Sequence, residues 1–187
     1  MKIGRLILRL AVGGFFIGHG TQKLFGWFGG HGPDGTGQFF EALGLRPGKR
    51  HAIAAGAAEA GGGALLALGA ATPLAASVLT ATMLTAIQKV HLSKGPWSTD
   101  GGYEYNLVLI GAVLALAETG PGSPSIDSAR GSNAYGAKWA AIALLLGIIG
   151  AAGADAVAKA APAPGAQAAP EAEAEAQAPA VEPVAVS

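Results

Sequence analysis

Long apolar blocks separated by short polar or Gly/Pro-rich breaks fill most of this chain. That is the pattern of buried or membrane helices, because half-buried strands alternate polar and apolar positions instead. The blocks cover residues 6–25, 51–71, 74–92 and 103–117. About 20 apolar residues cross a bilayer. The first three blocks meet or approach that length, and the shorter fourth is flanked by aromatics. A fifth stretch, 139–154, carries Gly147, Gly150 and Gly153 as a small-residue edge suited to helix packing, and it is read as a C-terminal transmembrane helix. Within the long loop 26–50, a Gly/His/Pro-rich opening (29–37) leads into a short interfacial helix, where Phe39, Phe40 and Leu43 share a face and Gly44 is the C-cap. Thr72-Pro73 reads as a tight turn and 121–131 as a polar linker. Arg5 and Arg9 are placed to snorkel to one interface, while Trp27, Trp97 and Trp139 suit interfacial belts. The predicted fold class is therefore all-α: a polytopic transmembrane four-helix bundle in 1–127, a linker with a fifth transmembrane helix in 128–158, and a disordered Ala/Pro/Glu-rich tail in 159–187.

Composition supports this picture. Charged residues make up 13% of the 187, against about 25% in ordinary soluble domains, and 51% are hydrophobic. Mean hydropathy is +0.42. Thirty glycines suit membrane helices, where they let backbones approach closely. The formal charge is zero and no basic stripe runs along any segment, so nucleic acid is excluded as a partner. With no cysteine there is no disulfide, thiol redox chemistry or Cys-metal site. The basic N-terminus ahead of an apolar run resembles a signal peptide, but no small-x-small cleavage site follows, so a retained helix is expected. Lys and Arg fall on both sides of the alternating spans, and the positive-inside rule does not choose an orientation.

The polar residues converge on one end. Alternating spans bring the ends of the first and third next to the starts of the second and fourth, gathering His19, Lys23, Gln88, Lys89, His91, Tyr103, Glu104 and Asn106. The opposite end reads as bland. At a rise of about 1.5 Å per residue, His19 lies roughly 9 Å and Glu59 roughly 12 Å inside that face, so the two can meet from different helices. A carboxylate at such depth costs about 2.5–3.5 kcal/mol unless partnered. The functional reading is a ligand or proton pocket formed by His19, Lys23, Glu59, Gln88, Lys89, His91, Tyr103 and Glu104, with Glu59 held by His19 and a lysine. The alternative is that Glu59 only glues helices together, and that the lysines are interfacial snorkelers. His31 and His91 are available ligands, but no metal-binding spacing is present and no metal is assigned. No self-sufficient catalytic motif occurs.

Residues 18–30 (Gly18-His19-Gly20-Thr21-Gln22-Lys23-Leu24-Phe25-Gly26-Trp27-Phe28-Gly29-Gly30) closely resemble the first-helix signature of the DoxX family of membrane proteins. Gly35-Thr36, Phe39 to Leu45, Glu59 with its following glycines, Gly69, Val90-His91-Leu92 and Gly101 to Tyr105 continue the resemblance over residues 3–127. The resemblance implies a four-helix integral protein of the bacterial cytoplasmic membrane with links to quinone-dependent oxidation. Family members are associated with a terminal quinol oxidase, with thiosulfate:quinone oxidoreductase, and with a membrane complex containing superoxide dismutase and a sulfurtransferase. Quinone is accordingly the cofactor candidate, and the partner candidates are the lipid bilayer, other oxidoreductase subunits and further copies of the chain. The fifth span and the tail are departures from the family pattern.

Three functions are consistent with this reading. The first is a redox-associated subunit with a quinone pocket, because histidine and glutamate can both hydrogen-bond a quinone head and pass a proton. The second is a non-enzymatic scaffold or assembly factor docked through its glycine-rich faces and tail. The third is a small-solute transporter, disfavoured because no internal repeat or pair of broken helices is visible.

Overall fold

The computed structural model describes residues 3–162. The expected disordered tail lies outside the described residues except for 159–162. Among the described residues the regular structure is all helical, with no strand, and its α-helices are α1 (Ile3–Phe25), α2 (Gly32–Ala42), α3 (Gly48–Leu68), α4 (Thr72–Ala86), α5 (Glu104–Thr119), α6 (Ile126–Ala129) and α7 (Ala137–Ala160). Helices α1, α3 and α7 are each long and apolar enough to cross a membrane. Helix α4 continues directly into a π-helical segment, Ile87–His91. Large apolar side chains on the outer faces, such as Ile7 and Phe15 on α1 and Leu145 and Ile149 on α7, are exposed. A water-soluble bundle would bury such side chains; a helical membrane protein presents them to lipid.

α1 and α3 meet backbone to backbone. A Cβ on Gly13 would lie 2.6 Å from the Gly63 carbonyl oxygen, and one on Gly63 would lie 2.7 Å from that of Gly13. Gly20 meets the Gly56 carbonyl in the same way at 2.6 Å. Gly13 and Gly20 on one helix, with Gly56 and Gly63 on the other, form a heptad-spaced antiparallel contact that only the absence of side chains permits. The space beside Glu59 is thus largely occupied by a neighbouring helix. The core forms where α1, α3, α4 and α5 converge, around Val12, Phe16, Leu66, Leu79, Val113 and Leu116.

α7 is longer than the apolar stretch 139–154 and reaches past Asp155. Gly147 seats against Thr80 and Gly150 against Ala81, so the small-residue edge packs onto α4, whereas Gly153 faces open space. Helix α2 begins at Gly32, earlier than the expected 38–43. Pro33 in the first turn has no N–H to satisfy, Asp34 complements the helix dipole, and Gly37 lets α2 approach the α3 backbone. Thr72-Pro73 is the first turn of α4 instead of a tight turn, again because proline suits that position; the turn is made by Gly69 to Ala71, with φ +60° at Gly69. The linker 121–131 contains the one-turn helix α6.

The end of the bundle that reads as bland is not bland. Arg9 is 2% exposed and does not snorkel: its guanidinium donates to the carbonyls of Pro121 (3.1 Å) and Pro124 (2.6 Å). Arg5 donates to Thr119 and Gly120 at the C-terminal end of α5. Asp127 accepts from the Ala71 and Thr72 amides and the Thr72 hydroxyl at 2.8–3.0 Å, capping α4 from the one-turn helix α6. Hydropathy counts these charges as costs, whereas here they satisfy helix-end groups that would otherwise be orphaned. Asp127→Ala is expected to destabilise the protein by about 1–2 kcal/mol, the usual cost of losing an N-cap. Thermal denaturation in detergent would show it, and an unchanged melting temperature would remove the capping role.

Candidate functional site

At the other end the bundle opens into a cavity of about 770 Å³. Phe16 and Met83, members of the core, also line the cavity and so form its floor. Helix α2 supplies Phe39 and Phe40, and Leu43 just past its end, to one wall; α4, α5 and α7 supply others. The lining is mostly apolar, with a few charged and imidazole side chains set into it. That size and mixture are those of small-molecule sites, commonly about 300–1,000 Å³ with sparse polar groups fixing orientation.

Among the described residues, Glu59 is the one carboxylate lining the cavity. Lys23 Nζ lies 2.6 Å from Glu59 Oε2, joining α1 to α3, with side-chain exposures of 21% and 7%. The same ammonium approaches the His19 carbonyl oxygen at 3.4 Å. Lys23 is therefore the partner of Glu59 and not an interfacial snorkeler. His19 lines the cavity, but its Nδ1 bonds Gln22 Oε1 at 3.0 Å instead of Glu59. On the opposite side of the cavity, Lys89 Nζ lies 2.5 Å from Asp155 Oδ1, and Lys159 binds the second oxygen at 2.6 Å.

Lys89, Val90 and His91 are consecutive, yet all three line the cavity. They sit where the α-helix widens to π, a feature common at functional sites. His91 Nδ1 donates to the Gly101 carbonyl at 2.6 Å, which fixes the ring against the 92–103 loop. A neutral imidazole held this way keeps Nε2 as an acceptor.

Of the eight residues singled out from sequence, His19, Lys23, Glu59, Lys89 and His91 line this cavity. Gln88, Tyr103 and Glu104 do not. Gln88 is exposed on the far side of the π segment. Tyr103 precedes α5 and ties back through its amide to Gly95. Glu104 accepts from the Ser98 amide and hydroxyl and closes the loop. Tyr103 and Glu104 are taken up by contacts with residues 95–98 of the preceding loop, which spacing alone does not separate from ligand binding. Sequence reasoning missed His51 as a lining residue, although it lies two turns before Glu59 on the same helix, and it missed the pairing of Asp155 with Lys89. His51 Nε2 donates to the Arg46 carbonyl at 3.1 Å. Among the described residues, no group of three or more His, Asp or Glu is placed to hold a metal ion.

The family model described as DoxX matches residues 4–92, the segment that carries all five of these cavity residues. A Bacillus subtilis (strain 168) protein described as "Putative oxidoreductase CatD" is 36% identical over 115 residues, which is 62% of this chain and 79% of the relative. The chain belongs to the DoxX family. "Inner membrane protein YphA" of Escherichia coli (strain K12) is 34% identical over 131 residues, covering 65% of this chain and 86% of the relative. No solved structure matches the chain significantly. Membership agrees with the exposed apolar faces: this is a membrane protein, and one of its relatives is described as an inner membrane protein. Helix α7 lies wholly beyond the segment that the family model matches.

Proposed function

We propose that this DoxX protein is a multi-pass, redox-associated component of the cytoplasmic membrane that binds a quinone in the cavity between Glu59 and Lys89. The observation that carries the proposal is the cavity itself: about 770 Å³, mostly apolar, with one lysine–carboxylate pair on each side. The residues present fit a quinone. An isoprenoid or ring body matches the Phe16, Phe39 and Phe40 walls, and the two carbonyl oxygens need donors, which the Lys23 and Lys89 ammonium groups supply. When bound, a quinone supplies two-electron, two-proton chemistry. The chain supplies orientation through those ammonium groups, and a proton-handling carboxylate through Glu59. Among the described residues, Glu59 Oε1 receives no protein hydrogen bond. A neutral imidazole at His19 or His91 keeps one nitrogen as an acceptor, able to take a hydrogen bond from a hydroxyl of the reduced quinol. Electrons exchange with a partner oxidoreductase subunit, in keeping with the oxidoreductase description of the Bacillus relative.

Equilibrium binding of menadione to the purified full-length chain tests this. Wild type should bind saturably, and Lys89→Met should weaken binding by about tenfold, the scale of one charge-assisted hydrogen bond. No saturable binding by wild type would overturn the quinone reading. A stoichiometric protein partner retained by Glu59→Gln would then favour a scaffold.

A further inference from the structure

Two ion pairs flank the cavity, and they are not equivalent. Lys23 and Glu59 neutralise each other one to one. On the far side, Asp155 is shared by Lys89 and Lys159, leaving one surplus positive charge. Lys89 and Asp155 are both largely buried, with 17% and 13% of their side chains exposed, whereas Lys159 is 76% exposed and its charge is solvated. Lys89 lines the cavity; Asp155 does not, though its neighbours Gly150 and Ala154 do. A lysine ammonium has three N–H groups, and Asp155 takes one. Two remain for whatever occupies the cavity.

Position explains why this lysine needs a carboxylate. Lys89 stands in the π-helical segment at the end of α4, where the widened turn sets residues 89 to 91 along the cavity wall. A long, flexible side chain there has many rotamers, and a lysine can reach out along its stem to water. The bond to Asp155 selects one of them. Lys159, one turn further along α7, meets the other carboxylate oxygen from an exposed position, a solvated contact that contributes little to holding Asp155.

We propose that α7 completes the ligand site, and that Asp155 is a positioning residue which holds Lys89 on the cavity wall as hydrogen-bond donor to an acceptor oxygen of the bound ligand. This rests on the reading of the cavity as a quinone site, and it names what holds the Lys89 donor in place at its end of the cavity. It also assigns a role to a helix beyond the segment shared with the family model. The Lys23–Glu59 side, with no charge surplus, is the side that handles the proton.

The test is menadione binding and thermal denaturation of the full chain in detergent, run in parallel on four variants. Asp155→Asn should weaken binding about tenfold or more, as loss of a charge-assisted donor predicts, and Asp155→Glu should recover most of it. Lys159→Ala should stay near wild type. The exchange Lys89→Asp with Asp155→Lys rebuilds the ion pair but puts the carboxylate on the cavity wall. It should recover the melting temperature without recovering affinity. Binding that Asp155→Asn leaves unchanged while the melting temperature falls would overturn the proposal, as would an exchange variant that recovers both. Absence of binding by wild type would instead overturn the quinone reading, and this inference with it.

Discussion

Lys23→Met is expected to cost the folded protein about 3–5 kcal/mol, the range for removing one partner of a buried ion pair. Methionine keeps much of the length and apolar stem of lysine, so the loss isolates the charge. Glu59 would be left as an unpaired carboxylate inside the bundle, 7% exposed, with its only recorded donor among the described residues gone. Lys23 is itself 21% exposed, which puts the effect toward the lower end of that range. Glu59→Gln added to Lys23→Met should restore most of the stability, because a neutral amide has far less desolvation to lose. A double-mutant cycle followed by denaturation in detergent measures the coupling. A double variant no more stable than Lys23→Met would show that the two side chains do not depend on each other.

The second large effect belongs to the helix contact that positions this pair. Gly63→Leu places a Cβ 2.7 Å from the Gly13 carbonyl oxygen and 2.9 Å from the Ile17 amide nitrogen. Both are backbone atoms, so no change of rotamer relieves the clash and the two helices must separate. Overpacking of a tight core costs about 1–3 kcal/mol and more where the backbone cannot yield. Here separation also pulls Lys23 away from Glu59, since the same two helices carry them. The expected result is loss of about 3 kcal/mol or more and a poor yield of monodisperse protein. Gly61→Leu is the control on the same helix, because a Cβ there meets nothing within 4 Å. Equal melting temperatures for the two variants would contradict the close α1–α3 contact. Gly63→Ala, which adds only the Cβ, should fall between them.

These two effects act on one unit. The glycine contact sets the distance between α1 and α3, and that distance lets a lysine on one reach a carboxylate on the other. Stability and the candidate site therefore share the same few residues, and a loss of ligand binding must be read beside a melting temperature. The Asp155 and Lys89 exchange separates the two on the other side of the cavity because it preserves the pair while inverting which charge lines the wall.

Much of this was legible in the chain. Long apolar blocks determined an all-helical membrane protein, and their alternation determined that His19, Lys23, Glu59, Lys89 and His91 would gather at one end. Depth along a helix follows from counting residues, and apolar length follows from composition, so both are local properties. Only the tertiary structure decided who pairs with whom. Glu59 takes Lys23, 36 residues away, and Lys89 takes Asp155, 66 residues away. Arg9 and Asp127 turned an end that looked bland into one tied by buried charges. Gln88, Tyr103 and Glu104 lie at the right end but outside the cavity. The physical reason is the same each time: a pairing depends on how each helix is rotated and how far it slides against its neighbour. Those two quantities are fixed by glycine contacts and loop caps between distant segments, and no window of local hydropathy contains them.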